Sequence, residues 1–139
     1  MFRLPRHPAV WFSALLCWGG FLWFLSDQPG SNEPFPVDHF DKVLHFVYFM
    51  GGGILLGGFL LRLANGNPVW KRLTTTTVVI MALIGAVDEY HQSFTPHRSG
   101  NDPWDLLADI LGATAGAFVV RSVHSRRHVN QASDSSFRK

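Results

Sequence analysis

Charge is scarce in this chain, and acid is almost missing from one half of its connections. Only 16% of the 139 residues are Asp, Glu, Lys or Arg, where soluble domains carry roughly 25%. Cysteine is nearly absent too. The single Cys17 excludes an internal disulfide and leaves the redox compartment open. The residues before it, Ala14-Leu15-Leu16, lack the small residue expected ahead of a lipidated cysteine, so Cys17 reads as an inert, membrane-buried thiol. Three chemical signatures are missing as well: a phosphate-cradling glycine loop, a Ser–His–acid set and a His-Glu-x-x-His zinc motif.

What is abundant is apolar sequence, 47% of the chain. It falls in four blocks, about Ala9–Leu25, Val43–Leu63, Leu73–Val87 and Leu106–Val120. A membrane-spanning helix needs about 20 residues, with a range of roughly 17–25. The first two blocks qualify directly. The last two qualify only if their polar ends, Asp88–Gln92 and Trp104–Asp105, are helical as well. The first block has the form of a signal peptide, with Arg3 and Arg6 ahead of an apolar run, but it runs through Phe21-Leu22-Trp23-Phe24 to Ser26 without a small-x-small cleavage site. It reads as a retained span.

The sequence predicts an all-α fold, a four-helix transmembrane bundle with both termini cytoplasmic. The orientation follows from charge. The loops after spans 1 and 3, with the helix ends beside them, carry Asp27, Glu33, Asp38, Asp41, Asp88, Glu89, Asp102, Asp105 and Asp109, all the acids but Asp134. The opposite side carries Arg3, Arg6, Arg62, Lys71, Arg72, Arg121, Arg126, Arg127, Arg138 and Lys139. Lys and Arg in short flanks mark the cytoplasmic side. The sequence pI near 9.0 therefore reflects topology and anionic lipid rather than nucleic acid. Lys42 and Arg98 are the two bases left on the outer side, each beside carboxylates. Residues 1–121 read as one four-span membrane domain and 122–139 as a polar, basic, disordered cytoplasmic tail. The chain is expected to be a multi-pass membrane protein.

Prolines, serines and a glycine across residues 26–40 predict an irregular connector, and Ala64-Asn65-Gly66-Asn67-Pro68 a tight turn. Trp11, Trp23, Trp70 and Trp104 fit interfacial anchoring, while Trp18 falls mid-span and should pack on a neighbour. Gly51-Gly52-Gly53 and Gly57-Gly58 in span 2, and Ala108, Gly112 and Gly116 in span 4, let two helix backbones approach closely in lipid. Spans 2 and 4 are expected to pack together. Thr74–Thr77 reads as helix packing and back-bonding to the main chain.

Three helix ends then meet on the outer side. Asp41 and His45 are four apart, about 40° around a helix, and share a face. Asp88, His91 and Gln92 lie within about 100° of one another, with Glu89 on the flank. Asp102, Asp105 and Asp109 form one stripe. Asp102 before Pro103 is an N-cap with proline at the first helical position, and Asp105 suits the first turn. Asp109 lies about 10 Å along the helix from Asp102, beyond the reach of capping. A carboxylate at that depth needs a partner, a proton or water, and marks a functional site or an essential buried network. His45 reads equally as a packing histidine. His39 and His97 read as solvated loop residues, and Tyr48 and Tyr90 as interface anchors or hydrogen-bond partners.

These residues resemble the VanZ-like family of bacterial membrane proteins. The matching pattern is Ser26-Asp27-Gln28-Pro29-Gly30, then Asp41-Lys42-x-x-His45-Phe46 with Tyr48, then Asp88-Glu89-x-His91-Gln92-x-Phe94 with Pro96 and Arg98. Asp102, Asp105, Asp109, Gly112 and Gly116 complete it, and the resemblance covers about Ala9 to Val120. It implies a four-span fold, a cell-envelope context and a link to resistance to the glycopeptide teicoplanin, but no particular reaction. The family usually shows glycine between its proline and arginine, where this chain has His97.

Three functional classes follow. A membrane enzyme would use Asp41, His45, Asp88, Glu89, His91 and Asp109 for acid–base chemistry, with Lys42, Gln92, Arg98, Asp102 and Asp105 holding substrate. Its substrate would be a lipid-linked phosphate or cell-wall precursor, and a divalent cation at Glu89, Asp105 and Asp109 is its candidate cofactor. A non-catalytic envelope factor would use the same cup to bind a lipid head group, an antibiotic or a larger membrane protein. A small transporter is the third, with a homo-oligomer formed through the remaining glycine faces. Membrane lipids are expected partners in all three.

Overall fold

Proline and polar capping groups place the helix ends. The computed structural model describes residues 5–30 and 40–136, the last ten of these as backbone only. Helix α1 spans Pro8–Ser26, α2 Phe40–Leu63, α3 Trp70–Gln92 and α4 Pro103–Ser136. At the start of α1, His7 Nδ1 accepts from the Ala9 N–H at 3.2 Å, with Pro8 at the first helical position. The expected cap of the last helix is present: Asp102 Oδ1 accepts from the Trp104 N–H at 2.8 Å, and Pro103 opens α4. Asn65 (φ 50°) and Gly66 (φ 80°) make the tight turn between α2 and α3. The polar ends Asp88–Gln92 and Trp104–Asp105 are helical, so all four helices are long and apolar enough to cross a membrane. The 26–40 connector is described only to Gly30, so Glu33, Asp38 and His39 lie outside the described residues.

One stretch departs from the sequence reading. Helix α4 continues through the polar residues from Ser122 to Ser136, where a disordered tail is expected. The reason is local. After Gly116 no glycine or proline interrupts the chain, and an established helix extends at the cost of only one residue's ordering per added hydrogen bond.

The small-residue ladders do pack against each other. A Cβ added to Gly53 would stand 2.6 Å from the Ala113 carbonyl oxygen, and Cβ atoms on Gly112 and Gly116 would collide with the Phe46 and Met50 carbonyls of α2. Side chains there would force α2 and α4 apart, so the glycines set the separation on which everything at the helix ends depends. Phe49, Leu56, Met81 and Ala113 form the buried centre, with Trp18 packed against it. Trp18 stacks on Tyr48 with ring centroids 5.2 Å apart. The two also exchange hydrogen bonds with each other's backbone: Trp18 Nε1 donates to the Tyr48 carbonyl at 3.2 Å, and the Tyr48 hydroxyl donates to the Trp18 carbonyl at 2.8 Å. A smaller cluster of Leu61, Leu73 and Val120 closes the opposite end. Thr77 is fully buried as expected for packing, although its hydroxyl finds no partner and Thr114 instead back-bonds to the Ile110 carbonyl.

The outward surface is apolar along the helices. Leu16, Phe21, Phe24, Leu83 and Leu111 all point away from the bundle, and Cys17 shares that outer surface of α1. Such a sleeve would cost a water-soluble protein its solubility, but in hydrocarbon it is the required exterior. Among the described residues, α1 packs on α2 and α3 and not on α4. The chain is a multi-pass membrane protein.

Candidate functional site

The glycine seam brings the N-terminal ends of α2 and α4 side by side, which sets Asp41 and Lys42 against Asp102 and Asp105. Lys42 Nζ stands 2.6 Å from Asp102 Oδ2, 2.9 Å from Asp105 Oδ1 and 2.9 Å from Asp41 Oδ2. The ammonium donates hydrogen bonds to Asp41 and Asp102 and pairs by charge with Asp105. The hydrogen bond from Lys42, followed by that from the Trp104 N–H, holds the Asp102 carboxyl below the usual carboxylate range.

One turn deeper lies His45, which shares a face with Asp41. Its Nδ1 is 2.9 Å from Asp109 Oδ1. Asp109 is fully buried, and its second oxygen, Oδ2, has no hydrogen-bond partner. This oxygen rests against Gly85 of α3, where an added Cβ would be only 2.6 Å away. Glu89 follows Gly85 by one turn. Its Oε2 accepts from the Asp102 N–H at 2.8 Å, while its Oε1 is buried without a partner. One ligand atom each from His45, Glu89 and Asp105 lie within 4.8 Å of one another, and the same holds for Asp41, Asp102 and Asp105. Five carboxyl groups from three helices thus surround one ammonium and one imidazole.

Asp88, Gln92 and Arg98 stand apart from this cluster, on the side of α3 that faces α1. The Ser26 hydroxyl donates to Asp88 Oδ1, and Gln92 Nε2 donates to Asp88 Oδ2 at 2.8 Å. Arg98 donates to the Leu25 carbonyl at 2.9 Å and the Gln28 carbonyl at 3.2 Å, and reaches Gln92 Oε1 at 3.5 Å. The Thr95 hydroxyl donates to the Ser26 carbonyl at 3.1 Å, and the Gly30 N–H to the Pro96 carbonyl at 3.0 Å. These contacts satisfy the carbonyls that the end of α1 leaves open and fasten it to the 93–98 loop. That loop turns at His97, whose φ is 60°, the left-handed conformation that glycine adopts most readily. His91 occupies a third place, stacked on Trp23 with centroids 3.9 Å apart and Nε2 3.8 Å from Asp27 Oδ1.

Of the residues expected at one site, Asp41, Lys42, His45, Glu89, Asp102, Asp105 and Asp109 converge. Asp88, Gln92 and Arg98 form a clamp on α1, and His91 lies with Trp23. Lys42 and Arg98, expected to hold an anionic substrate, direct their donors to groups of the protein itself. Gly85 and Thr95 were not expected to matter. Gly85 had a legible signal, since it precedes Glu89 by four residues and so shares its face. Thr95 had none, because its partner lies 69 positions away.

A family model described as VanZ/LLP1 matches residues 10–124. No curated protein and no solved structure matches the chain.

Proposed function

The chain belongs to the VanZ/LLP1 family, and from that premise we propose that it acts in the bacterial cell envelope, binding and modifying a lipid-linked or cell-wall-precursor substrate at the outer face of the cytoplasmic membrane. The supporting observation is the cup built by α2, α3 and α4, in which three buried carboxylate oxygens, Glu89 Oε1, Asp105 Oδ1 and Asp109 Oδ2, have no hydrogen-bond partner, Asp105 Oδ1 having only its ion pair with Lys42. Leaving such atoms unsatisfied is costly, and a fold retains them where they have work to do. In this reading His45, Glu89 and Asp105 face the substrate, Asp109 orients His45, and Asp41, Lys42 and Asp102 form the rim. Both termini are cytoplasmic, as the distribution of Lys and Arg implies. A link to teicoplanin resistance would follow from altered wall precursors.

The test is mass spectrometry of envelope lipids and wall precursors from cells with and without the protein. A compositional difference is expected, and it should vanish in an Asp109→Asn variant that still reaches the membrane at normal levels. Identical profiles with and without the protein would remove this reading. A second reading has one specific observation in its favour. Because Lys42 and Arg98 are engaged inside the protein, the cup is acidic, which suits a binder of a cationic head group or antibiotic. That reading predicts unchanged precursor composition and a graded, not complete, loss on neutralising single carboxylates.

A further inference from the structure

We propose that His45, Glu89 and Asp105 form a site for one divalent cation of the Mn²⁺ or Zn²⁺ type, with Asp109 as a positioning residue behind His45. One atom from each of these three side chains, on three different helices, lies within 4.8 Å of the other two. Ligand atoms about 2.0–2.2 Å from a shared tetrahedral zinc ion stand roughly 3.4 Å apart, so side-chain adjustment of about 1.4 Å or less completes the set.

Glu89 is nine-tenths buried or more, at 3% exposure, and its Oε1 has no partner. The comparison with the neighbouring triad sharpens this. Asp41, Asp102 and Asp105 are equally close together, but the Lys42 ammonium contacts all three. Its charge is balanced by a cation the protein supplies. Among the described residues, the His45–Glu89–Asp105 triad is contacted by no Lys or Arg except through Asp105, which Lys42 shares.

His45 is also hydrogen-bonded to Asp109. A ligating histidine typically gives its other ring N–H to a carboxylate, which fixes the tautomer and raises the basicity of the metal-facing nitrogen. With Nδ1 held by Asp109 at 2.9 Å, Nε2 is the nitrogen left to take an ion. Gly85 leaves room for this carboxylate. Asp109, a ligand in the sequence expectation, thus moves behind His45, and His45 takes its place. One imidazole and two carboxylates favour Zn²⁺ or Mn²⁺ over the all-oxygen sets of Ca²⁺.

The inference deepens the envelope reading, since a bound cation would supply the positive charge toward an anionic substrate that Lys42 and Arg98 do not. Its test needs no turnover. Purified full-length protein in detergent, stripped by a chelator, is titrated with Mn²⁺ or Zn²⁺ alone by calorimetry, and Mn²⁺ binding is read by electron paramagnetic resonance. One ion per chain is expected. Glu89→Gln, Asp105→Asn and Asp109→Asn should each weaken binding about tenfold or more, whereas Asp27→Asn, beside His91, should leave it unchanged. Uptake of no ion by the unmodified protein overturns the proposal, whatever the variants do. So does a single-ion uptake that survives Glu89→Gln and Asp105→Asn. Metal binding with unaltered envelope lipids would leave the cation site standing and remove the envelope reading; altered lipids without metal binding would do the reverse.

Discussion

Asp109 lies about 9 Å into α4 at 1.5 Å per residue, and the space for its carboxylate is provided by Gly85, a residue on another helix. Substituting Gly85→Ala should therefore act on Asp109. Overpacking of a tight site costs roughly 1–3 kcal/mol, so a lowered melting temperature and a weakened His45–Asp109 contact are expected, the latter visible as a change in the His45 nitrogen resonances. His97 presents the opposite case. A residue with a Cβ at φ 60° carries a cost of roughly 1–2 kcal/mol that glycine avoids. His97→Gly should raise stability by about 1 kcal/mol in thermal unfolding, and an unchanged or lower melting temperature would show that His97 makes compensating contacts. Asp102 gives a pH dependence. Its folded-state pKa is depressed, so its contribution is complete above the unfolded value near 3.9 and is lost as pH falls through the lower folded value. Melting temperatures measured down that acid range should show this loss, and Asp102→Asn should flatten it. Depth along a helix made Asp109 legible in the sequence. The oxygen that faces Gly85 was not, because helical periodicity gives a residue's face and not what stands opposite.

Two elements carry the architecture at the next scale. The α2–α4 seam was legible, since small residues four apart have one strong use in lipid, and the structure places Gly112 against the Phe46 carbonyl. Gly112→Val should separate the helices and pull Lys42 away from Asp102 and Asp105. Loss of the folded protein from the membrane fraction, or a melting temperature lowered by several degrees, is the expected outcome. The division of α3 into two working faces was less legible. Asp88 and Gln92 turn to α1 while Glu89 turns to α4, although all lie within a single turn and a half. A helical wheel shows that they diverge, but it cannot say which neighbour each one meets. The backbone of α4 continues to Ser136, where no glycine or proline after Gly116 interrupts it.

For the molecule as a whole, apolar length and charge placement were enough to give four helices and their order, while the clustering of seven site residues depended on long-range packing. The proposed orientation has its own check. With Cys17→Ser as background, a cysteine at Ser99 should react with a membrane-impermeant thiol reagent added outside the cell, and one at Asn67 should not; the reverse pattern would invert the site. The α1 clamp bears on how this molecule is made. Leu25 and Gln28 are held by Arg98, 73 and 70 positions further on, and the Ser26 carbonyl by Thr95. Helix α1 therefore waits for α3 and the loop after it before its end is secured. Trp18 can meet Tyr48 once α2 is in place, but Ser26 has no lasting seat until α3 and the loop after it have been synthesised. A chain halted before Arg98 could pack α1 on α2 but would leave the C-terminal end of α1 unfastened.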